Sequence, residues 1–256
     1  MKTPWLINGN PNRRASVRLF CFPYAGGGDS IFRSWQQIVP DTIEVCPVQL
    51  PGRGARLNEP PCTEINKLIR LAGAALAPHL DKPFAFFGHS MGALISFEFA
   101  HHLRNHYNAQ PVHLFVSGRC SPQTMSEPID LNEFDSALPE MLRRYNGTPA
   151  EALENPELME LVLPVLRADL ALCTSYVYTS KPPFSFAITA FGGLDDHGVP
   201  RRCIENWREH TTGHFALRML PGDHFFLKTA RLPLLEAISK ELEQDMRGKG
   251  SDAVLN

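Results

Sequence analysis

The chain has 256 residues, 43% of them hydrophobic and 20% charged, enough for one large domain or two small ones with a proper core, and not the composition of a disordered chain. Its 25 Lys and Arg against 27 Asp and Glu give a formal charge of -2, a balance that points to neither nucleic acid nor an anionic membrane surface as a partner. No apolar run approaches the roughly 20 residues that span a bilayer, and Met1 to Arg14 lacks the apolar stretch of a secretory signal.

Taken in chain order, β-branched and aromatic runs alternate with amphipathic stretches. Residues 17–22 predict a strand, 31–38 a helix, 43–48 a strand, 63–80 a helix and 84–87 a strand. A helix is predicted at 91–106, where Leu94, Phe97, Ala100 and Leu103 recur at helical spacing, and strands follow at 112–117, 186–191 and 215–220. Helical patterns at 200–209 and 226–246 complete the series. This is the alternation of a buried, mostly parallel sheet flanked by helices, an α/β fold in one domain. The stretch 121–181 interrupts it with helical patterns, clearest at 131–145 and 156–172, and no convincing strand. An insertion of that length between two strands is expected to be a helical lid over the active site. Residues 248–256 read as a flexible tail. Cys21, Cys46, Cys62, Cys120, Cys173 and Cys203 are scattered without CxxC or zinc-like spacing, and read as free thiols of a reducing cytosol.

The chemistry concentrates at Gly88-His89-Ser90-Met91-Gly92, with an apolar strand before it and a helix after it. This is the G-x-S-x-G nucleophile elbow of α/β-hydrolases in its proper setting. The reversal at the serine is so tight that the positions two before and two after it must lack bulk. The following helix directs unpaired N–H groups to where negative charge develops. A serine hydroxyl needs a base, and partners in this fold follow in the order Ser, acid, His. Among ten histidines, His89 reads as a neighbour of the nucleophile, and His101, His102 and His106 as solvated or helix-end residues. His214 precedes the strand 215–220, whereas His224 follows it and so lies at the carboxyl ends of the strands with Ser90; His224 is the base. The acid belongs just after the strand 186–191, in Phe191-Gly-Gly-Leu-Asp-Asp-His197, where spacing leaves Asp195 and Asp196 open. One oxyanion donor is expected from the Met91 N–H and one from the glycine-rich loop after the first strand. That loop lacks the features of a phosphate-binding loop, since no Lys-Ser/Thr follows and no G-x-G-x-x-G with a later acid is present.

Phe22-Pro-Tyr-Ala-Gly-Gly27, Leu50-Pro-Gly-Arg-Gly54, Gly88-His-Ser-Met-Gly92 and Gly222-Asp-His-Phe225 occur together here, with Arg167-Ala-Asp169, Tyr176 and Tyr178 in the insertion. In this the chain resembles the type II thioesterases, the stand-alone editing enzymes of nonribosomal peptide and polyketide synthases, from about Val17 to Glu243. The resemblance implies Ser90 as nucleophile, His224 as base, and Ala25 and Met91 as the oxyanion N–H donors. It favours Asp196 over Asp195 as the acid, through a Gly-x-x-Asp arrangement at Gly193-Leu-Asp-Asp196, although His197 departs from that family's pattern. It further implies hydrolysis of acyl groups from the 4'-phosphopantetheine arm of acyl- or peptidyl-carrier proteins, or of small acyl thioesters, in antibiotic or siderophore biosynthesis. No cofactor and no metal are called for, no nucleic acid or membrane is expected as a partner, and a cytoplasmic monomer is the default. A small-molecule carboxylesterase or lipase of the same fold is the alternative, and a binding module that has lost catalysis is the third reading. Arg53, Arg143-Arg144 and Arg201-Arg202 are either contacts for an acidic carrier or merely solvated.

Overall fold

The computed structural model describes residues 3–6, 12, 14–124 and 156–252. Its centre is a six-stranded sheet of β1 (Val17–Phe22), β2 (Ile43–Pro47), β3 (Phe84–His89), β4 (His113–Ser117), β5 (Ala187–Gly193) and β6 (Phe215–Leu220). The strands stand in the order β2-β1-β3-β4-β5-β6, and every neighbouring pair is parallel. Parallel strands are buried on both faces, which is why these runs are apolar throughout rather than alternating. The alternate side chains instead sort between two cores. Phe20, Phe22, Phe84, Phe86, Leu114 and Val116 pack on one face, beneath α1 (Ile65–Leu76) and α2 (Met91–Tyr107). Leu19, Cys21, Ala85, Phe87 and Phe115 pack on the other, against Phe32, Trp35 and Leu234, Leu235, Ile238 and Leu242 of α6 (Arg231–Asp252).

The remaining helices are α3 (Pro156–Thr174), α4 (Arg201–Glu205) and α5 (Phe226–Thr229). All six strands stand where the sequence predicts them, to within two residues at either end. The helical patterns hold less uniformly. Residues 31–38 form two short 3-10 turns, Asp29–Phe32 and Trp35–Gln37, in place of one helix. The pattern at 200–209 divides into α4 and a 3-10 turn, Asn206–His210. The one at 226–246 breaks at Ala230 (φ -103°, ψ 33°), because Pro233 has no N–H and its ring would clash with the carbonyl four residues back in a continuous helix. Of the insertion, α3 matches the pattern at 156–172, while 131–145 lies outside the described residues. α6 continues to Asp252, into the stretch expected to be a tail.

The six-free-thiols expectation is corrected. Cys120, just past β4, and Cys203 in α4 form a disulfide with an S–S distance of 2.00 Å, and the other four cysteines are free. The two are 83 residues apart and meet because the Ser121 N–H bonds the Cys203 carbonyl (3.1 Å), a contact that spacing cannot foretell.

Candidate active site

Sheet order sets the site. β1 and β3 are neighbours whose connections leave in opposite directions, and in open parallel sheets the crevice at such a switch, at the carboxyl ends, is where ligands bind. The register aligns those ends: Phe22 pairs with Gly88, His89 with Ser117, Ser117 with Phe191, and Gly193 with Leu220. Each loop singled out in the sequence leaves from this one edge.

Ser90 stands between β3 and α2 with φ 54° and ψ -113°. A non-glycine residue in that region stores on the order of 1–3 kcal/mol, which the surroundings must hold. They do so through the Ser90 N–H, which donates to the Ser117 carbonyl at 2.8 Å, and through two glycines. A Cβ on Gly88 would lie 2.1 Å from the Gly92 carbonyl oxygen, and one on Gly92 would lie 2.1 Å from that of Phe22. Both obstacles are backbone, so no side chain could be accommodated by a rotamer change. Half-buried Ser90 faces the edge while Met91, the first residue of α2, is buried beneath it.

His89 points inward. It is fully buried, its Nδ1 lies 2.9 Å from the Ser117 hydroxyl, and its ring centre is 5.2 Å from that of His224. Burial, and then the neighbouring His224 imidazole, push its pKa well below the ordinary value, so it stays neutral. His224 Nδ1 lies 2.7 Å from Asp196 Oδ2, and the Gly198 N–H donates to the other oxygen at 3.1 Å. The loops that carry the two residues are joined through the backbone: Leu194 N–H to Leu220 O (2.8 Å) and Asp195 N–H to Gly222 O (3.0 Å). That stitching turns Asp195 outward to solvent and Asp196 inward, with its side chain only 3% exposed. His214 lies exposed at the opposite end of β6, away from the edge that carries Ser90. His101, read as solvated, is buried on α2 between Phe97 and Phe184, which drives its pKa down to about 3.

The loop after β1 makes a turn closed by the Gly27 N–H on the Tyr24 carbonyl (2.9 Å), with half-buried Ala25 and exposed Gly26 at its corner. Gly26 has φ +74°, a left-handed conformation that demands glycine at the third position of a type II turn. Sequence reasoning missed what holds this turn. The Gly26 N–H donates to Asp169 Oδ2 on α3 at 2.7 Å, and the Arg53 guanidinium grips both Asp169 oxygens at 2.7 Å each. Arg53, considered above as a surface contact, is 7% exposed, so it is not part of a docking face. Of the other arginines named for that role, Arg201 pairs with Glu205 and Arg202 is exposed, while 143–144 lie outside the described residues. Arg53 and Asp169 both lie in motifs noted in the sequence, but nothing there pairs them. A second anchor, Tyr176 and Lys181 on Glu98 of α2, fixes the far end of the insertion. Among the described residues no group of His, Cys, Asp or Glu is arranged to hold a metal ion.

An elbow serine at the switch point of an all-parallel sheet, with a histidine–carboxylate pair on adjoining loops of the same edge, defines an α/β-hydrolase. The chain belongs to the thioesterase domain family, whose profile matches residues 17–244, and it is a thioester hydrolase. It is 46% identical over 239 residues to the gramicidin S biosynthesis protein GrsT of Aneurinibacillus migulanus, covering 93% of each chain. It is 39% identical over 222 residues to the medium-chain S-acyl fatty acid synthase thioesterase of Rattus norvegicus, covering 84% of this chain and 83% of that one. Among solved structures it is similar to RedJ, a thioesterase from the prodiginine biosynthetic pathway of Streptomyces coelicolor. That likeness has a TM-score of 0.86 and 41% identity, over 90% of this chain and 92% of RedJ.

Proposed function

We propose that this chain is a type II thioesterase that clears acyl groups from the phosphopantetheine arms of carrier proteins, through an acyl-Ser90 intermediate. The observation that carries the reading is the 2.7 Å contact between His224 Nδ1 and Asp196 Oδ2, beside the strained elbow at Ser90. With the Nδ1 proton engaged by the carboxylate, Nε2 keeps its lone pair for the serine proton. Ser90 Oγ attacks the thioester carbonyl while His224 takes its proton. The oxyanion is received by the Ala25 and Met91 N–H groups, and the imidazolium protonates the leaving thiolate. Water, deprotonated by His224, then attacks the acyl-Ser90 ester, and the imidazolium returns that proton to the departing Ser90 Oγ as the acid is released. Asp196 stabilises the imidazolium without taking the proton.

Similarity to GrsT and RedJ along nearly the whole chain supports a carrier protein of a peptide or polyketide synthase as partner, and an antibiotic-type pathway as setting. The stretch 121–181 acts as the lid in this reading, with α3 packed on the loop of Ala25. The working form is a cytoplasmic monomer of one domain, needing no cofactor. The similarity to the rat enzyme favours a second reading of the substrate, a medium-chain acyl group on a fatty acid synthase.

The test is hydrolysis of acetyl-, aminoacyl- and octanoyl-loaded carrier protein, beside a p-nitrophenyl ester, by wild type and Ser90→Ala. Fast turnover of the short carrier-bound acyl groups, lost by about 10⁶-fold in Ser90→Ala, is the expected result. Preference for the octanoyl carrier favours the fatty-acid reading, and turnover of the ester alone replaces both with an esterase.

A further inference from the structure

We propose that Asp169 is a positioning residue for this hydrolysis, one that holds the Ala25 loop in its working conformation; the proposal rests on the acyl-serine reading of Ser90. The turn Tyr24–Gly27 is closed by one hydrogen bond of its own, Gly27 N–H to Tyr24 O at 2.9 Å, and Gly26 takes φ +74°. Type I and type II turns differ by a flip of the central peptide, here Ala25–Gly26, and the closing bond is compatible with both. The closing bond of the turn therefore does not decide which way that peptide faces.

Asp169 decides it from α3. Its Oδ2 accepts the Gly26 N–H at 2.7 Å, and a flipped peptide would instead turn the Ala25 carbonyl oxygen toward a carboxylate. Two oxygens facing each other with no proton between them is a repulsive arrangement, and little water is present to screen it, because Asp169 is 2% exposed. Arg53 keeps that carboxylate aimed, with Nη1 on Oδ2 and Nη2 on Oδ1, both at 2.7 Å. The same Nη1 also donates to the Gly27 carbonyl at 3.0 Å. The pair thus grips the turn at two successive residues, an N–H by the anion and a C=O by the cation. Leu166, nearly one turn earlier on α3, covers the corner: its Cδ1 lies 3.3 Å from where a Cβ on Gly26 would stand. Asp169 and Arg53 hold Gly26 and Gly27, the two residues that follow Ala25, so the turn that presents the Ala25 N–H to the oxyanion is clamped from outside itself. Competence at the oxyanion site is thereby tied to the seating of α3, a helix of the insertion.

The experiment uses Asp169→Asn in the full chain, with a short acyl-pantetheine thioester as substrate. Two inhibitors of the same acyl length accompany it: a trifluoromethyl ketone, which forms an oxyanion on Ser90, and an inert thioether. The expected result is a kcat lower by about 10–100-fold and a ketone weaker by the same factor, with KM and thioether affinity within about threefold. Arg53→Lys, which keeps the charge but loses the fork, should move the same quantities in the same direction by less. A kcat within about twofold of wild type, or ketone and thioether weakening together, overturns the proposal and leaves the pair a plain anchor for α3. Should Asp169→Asn fail to fold, Arg53→Lys is judged by the same two criteria. Ser90→Ala run alongside separates the two levels: if it turns over substrate like wild type, the acyl-serine reading has failed, whatever Asp169 does.

Discussion

Two carboxylates anchor this edge of the molecule, and their partners set them apart. Asp196 holds an imidazole with one oxygen and the Gly198 N–H with the other; Asp169 holds a guanidinium with both oxygens and the Gly26 N–H as well. In both, a buried carboxylate is satisfied by one side chain and one backbone N–H, so neither is left without hydrogen-bond partners. A guanidinium is a poor proton donor, so the Arg53–Asp169 pair is suited to positioning rather than to proton transfer. An imidazole can both take and give a proton, so the His224–Asp196 pair is suited to proton transfer. The same local design suits geometry in one place and chemistry in the other, according to whether the partner can take and give a proton.

That contrast can be broken at either pair. The largest effect is expected from Asp196→Asn: an amide can present N–H to Nδ1, inverting the tautomer, and kcat should fall by about 10⁴-fold with little change in melting temperature. Asp195→Asn, on the exposed neighbour, should leave kcat within about twofold, and equal losses at both positions would return the choice of acid to where spacing left it. Next comes stability. Arg53→Gln strands the Asp169 carboxylate in the interior and should cost about 3–5 kcal/mol, read as a shift in urea midpoint, whereas Asp196→Asn should not. A shift under about 1 kcal/mol would mean that water reaches Asp169 once the guanidinium is gone.

The smallest effect sharpens the comparison through pH. Burial holds His101 down at about 3 and His210 at about 4, so the folded state keeps both neutral while the unfolded chain protonates them below about 6.5. Folded pKa values below the unfolded ones mean that the unfolded state binds more protons as pH falls. Stability should therefore be full above about 6.5 and decline on acidification toward 4. His210→Gln, which can still bond Ser121 and Gln123, should flatten part of that decline in melting temperature; an unchanged slope would assign it to other groups.

How much of this was legible in the sequence follows from the range of each interaction. The strands were legible because a parallel sheet buries both faces and leaves continuous apolar runs. The elbow was legible because its constraint acts within five residues, Gly88 to Gly92. His224 could be told from His214 because strand direction alone separates the two ends of β6. The acid was legible only as a pair, since Asp195 and Asp196 are adjacent in a loop. Which one turns inward depends on backbone bonds from Leu194 and Asp195 to Leu220 and Gly222, on the next strand and loop. The short helices were misjudged where Pro233 and 3-10 geometry overrode an apolar pattern that period alone could not resolve.

The sequence by itself determined the class of chemistry, through the elbow at Ser90 and the edge that it shares with His224, because those signals are local and bound to strand direction. Only the tertiary structure decided which acid meets His224, that Cys120 meets Cys203, and that Arg53 is buried against Asp169. These are contacts between residues from 28 to 116 positions apart, and a chain specifies such pairs through packing of the whole fold, which no spacing along it records.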